Sequence, residues 1–148
     1  MLIRKANSDE HQLIVDFQLA MAHETENIEL NRDIVECGVK AVLKDSTKGQ
    51  YYVAESNGKI VGSLLTTYEW SDWRNATVLW IQSVYVKPDY RRKGVYRSLY
   101  SHVKDLVLKN NNLSGIRLYA DKSNTTAHKA YQKLGMNPDH YMTFEWLK

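Results

Sequence analysis

Cysteine, proline and long apolar runs are nearly absent from this sequence of 148 residues, which contains one cysteine, Cys37, and two prolines. One cysteine excludes an intrachain disulfide, and the N-terminal segment lacks the apolar core of a signal peptide, so we expect a reducing, cytoplasmic setting. No segment approaches the roughly 18 apolar residues of a membrane span, and we expect no membrane partner. Without a linker or an internal repeat, the chain is predicted to form a single domain over residues 1–148.

Charge of one sign is also scarce, since the net charge at pH 7 is +3 and 43% of the residues are hydrophobic. A wide basic face, typical of nucleic-acid-binding domains, is not indicated, and we expect no nucleic-acid partner. The basic residues that do cluster, over 91–97, have aromatic neighbours in Tyr85 and Tyr90, so an RNA-binding α/β domain stays open as an alternative. The five histidines show no metal-ligand spacing with one another or with Cys37, and no metal is predicted.

Hydrophobic periodicity predicts the order of helices and strands along the chain. Helices are expected after the capping candidates Ser8 and Asp9, after Asn31, over 94–109, and over 124–134 with Gly135 just beyond its end. Strands are expected over 2–5, 51–55, 59–69, 77–86, 116–120 and 141–147, and a polar break over 23–30. The order β-α-α-β-β-β-α-β-α-β predicts an α+β fold with a mixed, mostly antiparallel central sheet flanked by helices. Cys37 falls among apolar positions of the second helix and is expected in the core.

The segment "RRKGVYRSLY" places three cations directly before Gly94, at the predicted start of a helix. Cations are unfavourable there, because the aligned peptide dipoles already leave a positive partial charge at a helix N-terminus. Unsatisfied N–H groups in the first turn, and a glycine that lets a ligand approach the backbone, favour a site for phosphate. A solvated basic turn is the alternative. The sequence has neither the Walker pattern nor the three glycines of a dinucleotide fingerprint.

The stretch "VYVKPDYRRKGVYRSLY" resembles the acyl-CoA-binding signature of the GNAT superfamily of N-acetyltransferases. That signature is Gln/Arg-x-x-Gly-x-Gly/Ala after a strand ending in a Val-x-Val-x-Pro pattern. The matching residues are Val84, Val86, Pro88, Arg91 and Gly94. Tyr96 stands where the family usually has a small residue, which is a departure.

The downstream stretch "NTTAHKAYQKLGM" resembles the second signature of the same family, Asn-x-x-Ala-x-x-x-Tyr-x-x-x-Gly-Phe. The matching residues are Asn124, Ala127, Tyr131 and Gly135, and Met136 replaces the aromatic residue. The predicted order of elements resembles the family fold along almost the whole chain. The presence of both signatures at this separation, joined by a strand, specifically indicates the GNAT superfamily.

The resemblance implies a GNAT domain that transfers an acetyl group from acetyl-CoA to a primary amine, by direct attack in a ternary complex. Backbone groups of the strand ending at Val86 should pair with the pantetheine arm, and backbone N–H groups from Arg92 to Arg97 should hold the pyrophosphate. Asn124 should bind pantetheine or fix the local backbone. The cofactor-binding residues implied are Val84, Tyr85, Val86, Arg91, Arg92, Lys93, Gly94, Val95, Tyr96, Arg97, Asn124 and Tyr131.

The resemblance implies roles in acetyl transfer for two residues, Val84 and Tyr131. The N–H of Val84 is the family's expected donor to the oxyanion. The leaving thiolate needs a proton, which the phenol of Tyr131, with a pKa near 10, can supply. The helical spacing of Tyr131 alone would favour a core residue, and the matched residues around it reverse that preference.

The amine must be neutral to attack, and an alkylamine with a pKa of about 10.4 is mostly protonated at neutral pH. Many family members place a glutamate near Gln82, which cannot serve as a base. A base acting through water is therefore a hypothesis, with Glu24, Glu26, Glu69 and Asp72 as candidates.

Acidic and aromatic residues are predicted to line the acceptor site: Glu24, Glu26, Trp70, Asp72 and Trp73. Such walls suit a cationic amine through charge pairing and cation–π contact, although tryptophans in the core and glutamates on a solvated loop explain these residues equally well. We predict a small cationic molecule as acceptor. A protein or peptide amine, and a CoA-binding module without catalysis, stay open as alternatives, as does a homodimer.

Overall fold

The computed structural model describes residues 1–148, which form two compact units, Met1–Arg117 and Leu118–Lys148. The N-terminal unit contains β1 (Leu2–Lys5), a 3-10 turn (Ser8–Glu10), α1 (His11–Glu26), α2 (Arg32–Lys44), β2 (Gln50–Ser56), β3 (Lys59–Ser71), β4 (Ala76–Val86), a second 3-10 turn (Pro88–Tyr90), α3 (Val95–Lys109) and β5 (Leu113–Arg117). The C-terminal unit contains α4 (Thr125–Lys133). Whether the two units act as the single domain expected from the sequence stays a prediction.

The strands form one sheet in the order β1-β2-β3-β4-β5. The pairs from β1 to β4 are antiparallel, and β4 pairs with β5 in parallel. A parallel pair requires a crossover connection, which α3 provides. The predicted α+β fold with a mixed, mostly antiparallel sheet is confirmed.

Helices cover both faces of this sheet. Tyr51 and Leu65 are register partners, so they share a face, and they cluster with Ile14 of α1 and Val39 of α2. The next residue of β2, Tyr52, points to the opposite face because side chains alternate along a strand. Its ring lies 5.1 Å from the ring of His102 on α3. The sheet is therefore sandwiched between α1 and α2 on one face and α3 on the other.

The cap of α2 is where the sequence predicted it, whereas the capping candidates Ser8 and Asp9 lie inside the first 3-10 turn and no side chain caps α1. The Asn31 side chain accepts a hydrogen bond from the N–H of Ile34 and starts α2. The predicted polar break over 23–30 begins too early, because α1 continues to Glu26. Polar side chains on the exposed side of a helix do not end it, and α1 stops at Asn27, whose φ of 52° is left-handed.

Three further predictions need correction. The strand expected over 116–120 lies at Leu113–Arg117. Residues 141–147 form no strand, and within the C-terminal unit no second strand is present to accept their backbone hydrogen bonds. Cys37 is exposed on α2, because this short helix buries only Val39 and presents its other face to solvent. None of the helices has both the length and the apolar character needed to span a bilayer.

An ion-pair cluster joins β1 to its neighbours and predicts a pH-dependent stability. Arg4 Nη2 lies 2.6 Å from Glu10 Oε1, and Arg4 Nε lies 3.0 Å from Glu55 Oε2. The hydrogen bond from Arg4 lowers the pKa of Glu10 below its usual value of 4.5. Since the folded-state pKa is depressed, the stabilisation is complete above pH 4.5 and is lost as the pH falls through the folded value.

We expect Glu10→Gln to lower the free energy of unfolding by about 1–2 kcal/mol at neutral pH. The deficit should shrink when urea unfolding is repeated at progressively lower pH, because protonation removes the same charge from the wild type. Asp9→Asn is the control, since Asp9 is exposed and forms no ion pair. A deficit that stays constant with pH would contradict the assignment.

Candidate functional site

A β-bulge in β4 lies at the centre of the candidate site. Ser63 of β3 pairs with Tyr85 and Leu65 pairs with Gln82, so two β4 residues, Ser83 and Val84, stand opposite a single β3 residue. Ser83 has a left-handed φ of 51°. A bulge leaves its extra residue out of the hydrogen-bond ladder and bends the strand. The peptide groups beside Val84 thus lie where the β3–β4 ladder is broken.

The bulge also decides which way Tyr85 points. Gln82 and Tyr85 are three residues apart, and simple alternation would place them on opposite faces of the sheet. With the extra residue, both share the face covered by α1. The Tyr85 ring lies 4.9 Å from the ring of Phe17, and its hydroxyl donates to Glu24 Oε1 at 3.4 Å. Burial raises the pKa of Tyr85, and the neighbouring Glu24 charge adds to the increase.

The loop before α3 has the backbone geometry of an anion site. Arg92 and Gly94 have left-handed φ values of 62° and 80°, with Lys93 between them. Alternating backbone handedness turns successive N–H groups toward one concave point, an arrangement that binds anions. An added Cβ on Gly94 would meet no atom within 4 Å, so the space in front of this glycine is open.

The start of α3 adds further donors to this loop. No side chain caps the helix, and its first turn carries no acidic residue. By contrast, Asn31 caps α2 and Asn124 caps α4 through side-chain oxygens. The first N–H groups of a helix have no intrahelical acceptor. The first turn of α3 therefore has no side-chain cap, and the binding of a phosphate there stays a prediction.

Arg91 connects the loop over residues 91–94, called the anion loop below, to α1. Its Nη2 lies 2.5 Å from Glu24 Oε2, and its Nε donates to the carbonyl of Val86 at 2.9 Å. The guanidinium also lies 5.6 Å from the centroid of the Tyr85 ring. The other cations of the loop take no part in this cluster, and Lys93 Nζ lies over the Tyr90 ring at 5.5 Å.

The C-terminal half of β4 has an open edge within the N-terminal unit. The β4–β5 ladder starts at Thr77–Leu113 and ends at Trp80–Arg117. Beyond Trp80, β4 continues to Val86 without a β5 partner. An extended ligand with amide groups can pair with such an edge as an added strand. This is the position where the sequence predicted that backbone groups hold a pantetheine arm.

The structure separates the predicted acceptor residues into two groups. Glu24 lies at the end of α1 beside Arg91, and Glu26 is the last residue of that helix. Trp70, Asp72 and Trp73 lie at the β3–β4 turn. Trp70 pairs with Thr77, seven residues before Val84, which places this turn about 20 Å along the strand from the bulge. Within the N-terminal unit, Glu24 is therefore the predicted acceptor residue with a contact to the anion loop.

The contacts of the candidate bases distinguish Glu24 from Glu69 and Asp72. Glu69 accepts a hydrogen bond from Trp80 Nε1 at 3.0 Å and pairs with Arg117. The bond from Trp80 lowers the pKa of Glu69, with Arg117 adding to the effect, so this carboxylate is a weak base. Asp72 accepts from the N–H of Trp73 in the distant turn. Glu24 is the candidate whose carboxylate lies beside Tyr85 and the bulged strand.

The C-terminal unit contains the other predicted cofactor residues. Asn124 accepts a hydrogen bond from the N–H of Ala127 at 3.1 Å and so fixes the backbone at the start of α4. Burial raises the pKa of Tyr131, which keeps this phenol protonated at neutral pH. Gly135, with a φ of 88°, follows the end of the helix as expected. The roles of Asn124 and Tyr131 toward the cofactor stay predictions.

Histidine, cysteine and carboxylate side chains form no group of three or more that could hold a metal ion.

Comparison with known proteins identifies the family. The sequence model of the acetyltransferase (GNAT) family matches residues 12–136, and the chain belongs to this family. The match spans both compact units. No curated protein matches this chain.

Solved structures agree with this assignment. A possible acetyltransferase from Clostridium difficile 630 is 43% identical, with a TM-score of 0.94, over 99% of this chain and 97% of the other. A predicted acetyltransferase with acetyl-CoA from Clostridium acetobutylicum has a TM-score of 0.76 at 19% identity, over 97% and 95% of the two chains. A ribosomal-protein-alanine N-acetyltransferase from Brucella melitensis biovar Abortus 2308 has a TM-score of 0.78 at 16% identity, over 99% of each. At such low identity the last two show the fold alone.

The bulge supports a prediction about Ser83. A valine at a left-handed φ costs about 1–2 kcal/mol, because its branched Cβ crowds the backbone. We expect Ser83→Val to relax the bulge. The free energy of unfolding should fall by this amount, and kcat for acetyl transfer should fall by more than tenfold. Ser83→Gly keeps the backbone geometry accessible and should retain wild-type kcat. Equal kcat values for the two variants, measured by thiol release, would show that the bulge has no part in the chemistry.

Proposed function

We propose that the protein transfers the acetyl group of acetyl-CoA to the primary amine of a small cationic molecule, directly and within a ternary complex. The observation that carries the proposal is the succession of a bulged strand, a backbone anion loop and an uncapped helix over residues 83–97. Membership of the acetyltransferase family supports the reaction class.

The diphosphate of the cofactor fits the anion loop. The N–H groups of residues 92–97 supply donors, and Gly94 presents no side chain toward them. Arg92, Lys93 and Arg97 add positive charge beside these donors, which suits a ligand with several negative charges. The open edge of β4 suits the two amides of a pantetheine arm.

In the reaction, the amine nitrogen attacks the thioester carbonyl, a C–N bond forms, and the C–S bond then breaks. We assign the N–H of Val84, at the break in the ladder, to donate to the oxyanion. We assign Tyr131 to give its phenolic proton to the leaving thiolate, a role that the match of this tyrosine to the family signature supports. The amine loses its protons to a base, for which Glu24 is our choice.

Glu24 also supports a cationic acceptor. It is a carboxylate with a side chain about one-third exposed, placed beside Tyr85 at the end of α1. A carboxylate next to an aromatic ring attracts an ammonium group through charge and cation–π contact.

The test is a panel of primary amines incubated with acetyl-CoA while free thiol is measured. Diamines, monoamines, amino acids and peptides with a free N-terminus or lysine should be compared. We expect transfer to diamines, with anionic amino acids poor acceptors. Preference for the peptides would replace the small-molecule acceptor by a protein amine. Tight CoA binding with no transfer to any amine would favour a CoA-binding module without catalysis.

A further inference from the structure

We infer that Arg91 couples the two substrates: it holds Glu24 in the free protein and releases it when the cofactor diphosphate binds the guanidinium. The inference rests on the proposed function. It adds that the carboxylate of Glu24, which we propose contacts the amine, becomes available only after the cofactor has bound.

The contacts of Arg91 bridge the two halves of the site. One nitrogen contacts Glu24, the proposed partner of the amine, and another contacts the carbonyl of Val86, on the strand proposed to bind pantetheine. Arg91 is at the same time the first residue of the anion loop, three positions before Gly94. A single side chain therefore contacts groups that both substrates would use.

The pair with Glu24 is of a kind that an incoming diphosphate can displace. The side chain of Arg91 is 44% exposed and that of Glu24 is 36% exposed. An ion pair this accessible favours the paired over the unpaired state by a factor of about five at most. A guanidinium binds phosphate oxygens through two parallel hydrogen bonds, and the adjacent backbone N–H groups add to that attraction. The diphosphate thus offers Arg91 more negative charge and more acceptors than one carboxylate does.

Release changes what Glu24 can do. With Arg91 bound to it, the carboxylate is neutralised and has little attraction for an ammonium group. After Arg91 leaves, Glu24 keeps the hydrogen bond from Tyr85 and has an unneutralised charge beside the bulged strand. Cofactor binding should therefore raise the affinity for the amine, and by linkage the amine should raise the affinity for cofactor by the same factor.

The test is a double-mutant cycle on the Kd for CoA, measured by calorimetry on the full chain. Glu24→Gln should bind CoA about threefold more tightly than the wild type, because Arg91 no longer has to leave a carboxylate. In an Arg91→Met background, the same Glu24→Gln change should have no effect. Asp89→Asn is the matched control: it removes one negative charge two residues from Arg91, and Asp89 has no ion pair with it. This control should leave the Kd within about 1.5-fold.

Three results would overturn the inference while leaving the proposed function intact. Weaker CoA binding by Glu24→Gln would mean that Glu24 holds Arg91 in place for the phosphate. Equal tightening of CoA binding by Asp89→Asn would mean that removal of any nearby negative charge produces the effect, without a specific role for Glu24. If Glu24→Gln still tightened CoA binding in the Arg91→Met background, the effect of Glu24 would not act through Arg91. A wild-type protein that fails to bind CoA would overturn the proposed function itself.

A kinetic measurement completes the test, using the best acceptor from the amine panel. The wild type should bind cofactor before amine, whereas Arg91→Met should accept the two substrates in either order, because its Glu24 is always available. Random order in the wild type would contradict the inference.

Discussion

Tyr131→Phe is expected to lower kcat by about 100-fold while leaving the Kd for CoA within about twofold of the wild type. The variant removes one oxygen atom and the proton that the proposed mechanism delivers to the thiolate, and loss of a positioned general acid commonly costs a factor of that size. Because burial raises the pKa of Tyr131, the phenol stays protonated through the neutral range. The wild-type rate should therefore show no loss attributable to this group until the pH exceeds 10.

Tyr68→Phe is the control for removal of a tyrosine hydroxyl. Tyr68 lies on β3 and donates to the carbonyl of Ser46, away from the bulge. It should lose a little stability and keep its kcat. If Tyr131→Phe instead raised KM or destabilised the fold with an unchanged kcat, the hydroxyl would be structural and the proton would have to come from water.

Gly94→Ala is expected to weaken CoA binding by about 30-fold. The alanine Cβ would extend into the open space in front of the loop, between the backbone N–H groups and the diphosphate. Moving the ligand away from one charge-assisted hydrogen bond costs roughly 1.5–3 kcal/mol, and tenfold in Kd corresponds to about 1.4 kcal/mol. Calorimetric titration of CoA into the variant gives this value directly.

Gly58→Ala provides a close match for the backbone cost. Gly58, in the β2–β3 turn, also has a left-handed φ, 71°, and also has no atom within 4 Å of an added Cβ. Both alanines should therefore lower the free energy of unfolding by about 1–2 kcal/mol. Only Gly94→Ala should affect CoA. Equal affinities in the two variants would mean that the diphosphate binds elsewhere.

Much of the fold was accessible from the sequence, because its signals are local. The Asn31 cap and the apolar periodicity of the helix predicted over 94–109 each determine a nearby piece of backbone. The prediction of a strand over 141–147 was wrong because it, too, used only local signals. Alternation of side chains states that a segment can be a strand, whereas forming one requires a partner elsewhere in the chain.

The site was only partly accessible. Cations placed before Gly94 predicted an anion site, and the structure has left-handed residues there, while anion binding itself stays a prediction. The bulge at Ser83 carried no signal, since serine has no marked preference for a left-handed φ and the apolar pattern runs on through it. The pairing of Arg91 with Glu24 joins residues 67 positions apart, and nothing local relates their charges.

The open edge of β4 has a consequence outside catalysis. Exposed strand edges invite pairing with other chains, and proteins commonly cover them or shield them with charge. Within the N-terminal unit β5 does not cover this edge beyond Trp80, and our proposal places the pantetheine arm of coenzyme A there. We expect the purified protein to aggregate faster on storage without coenzyme A, and its β4 amides to exchange with deuterium more slowly when coenzyme A is added.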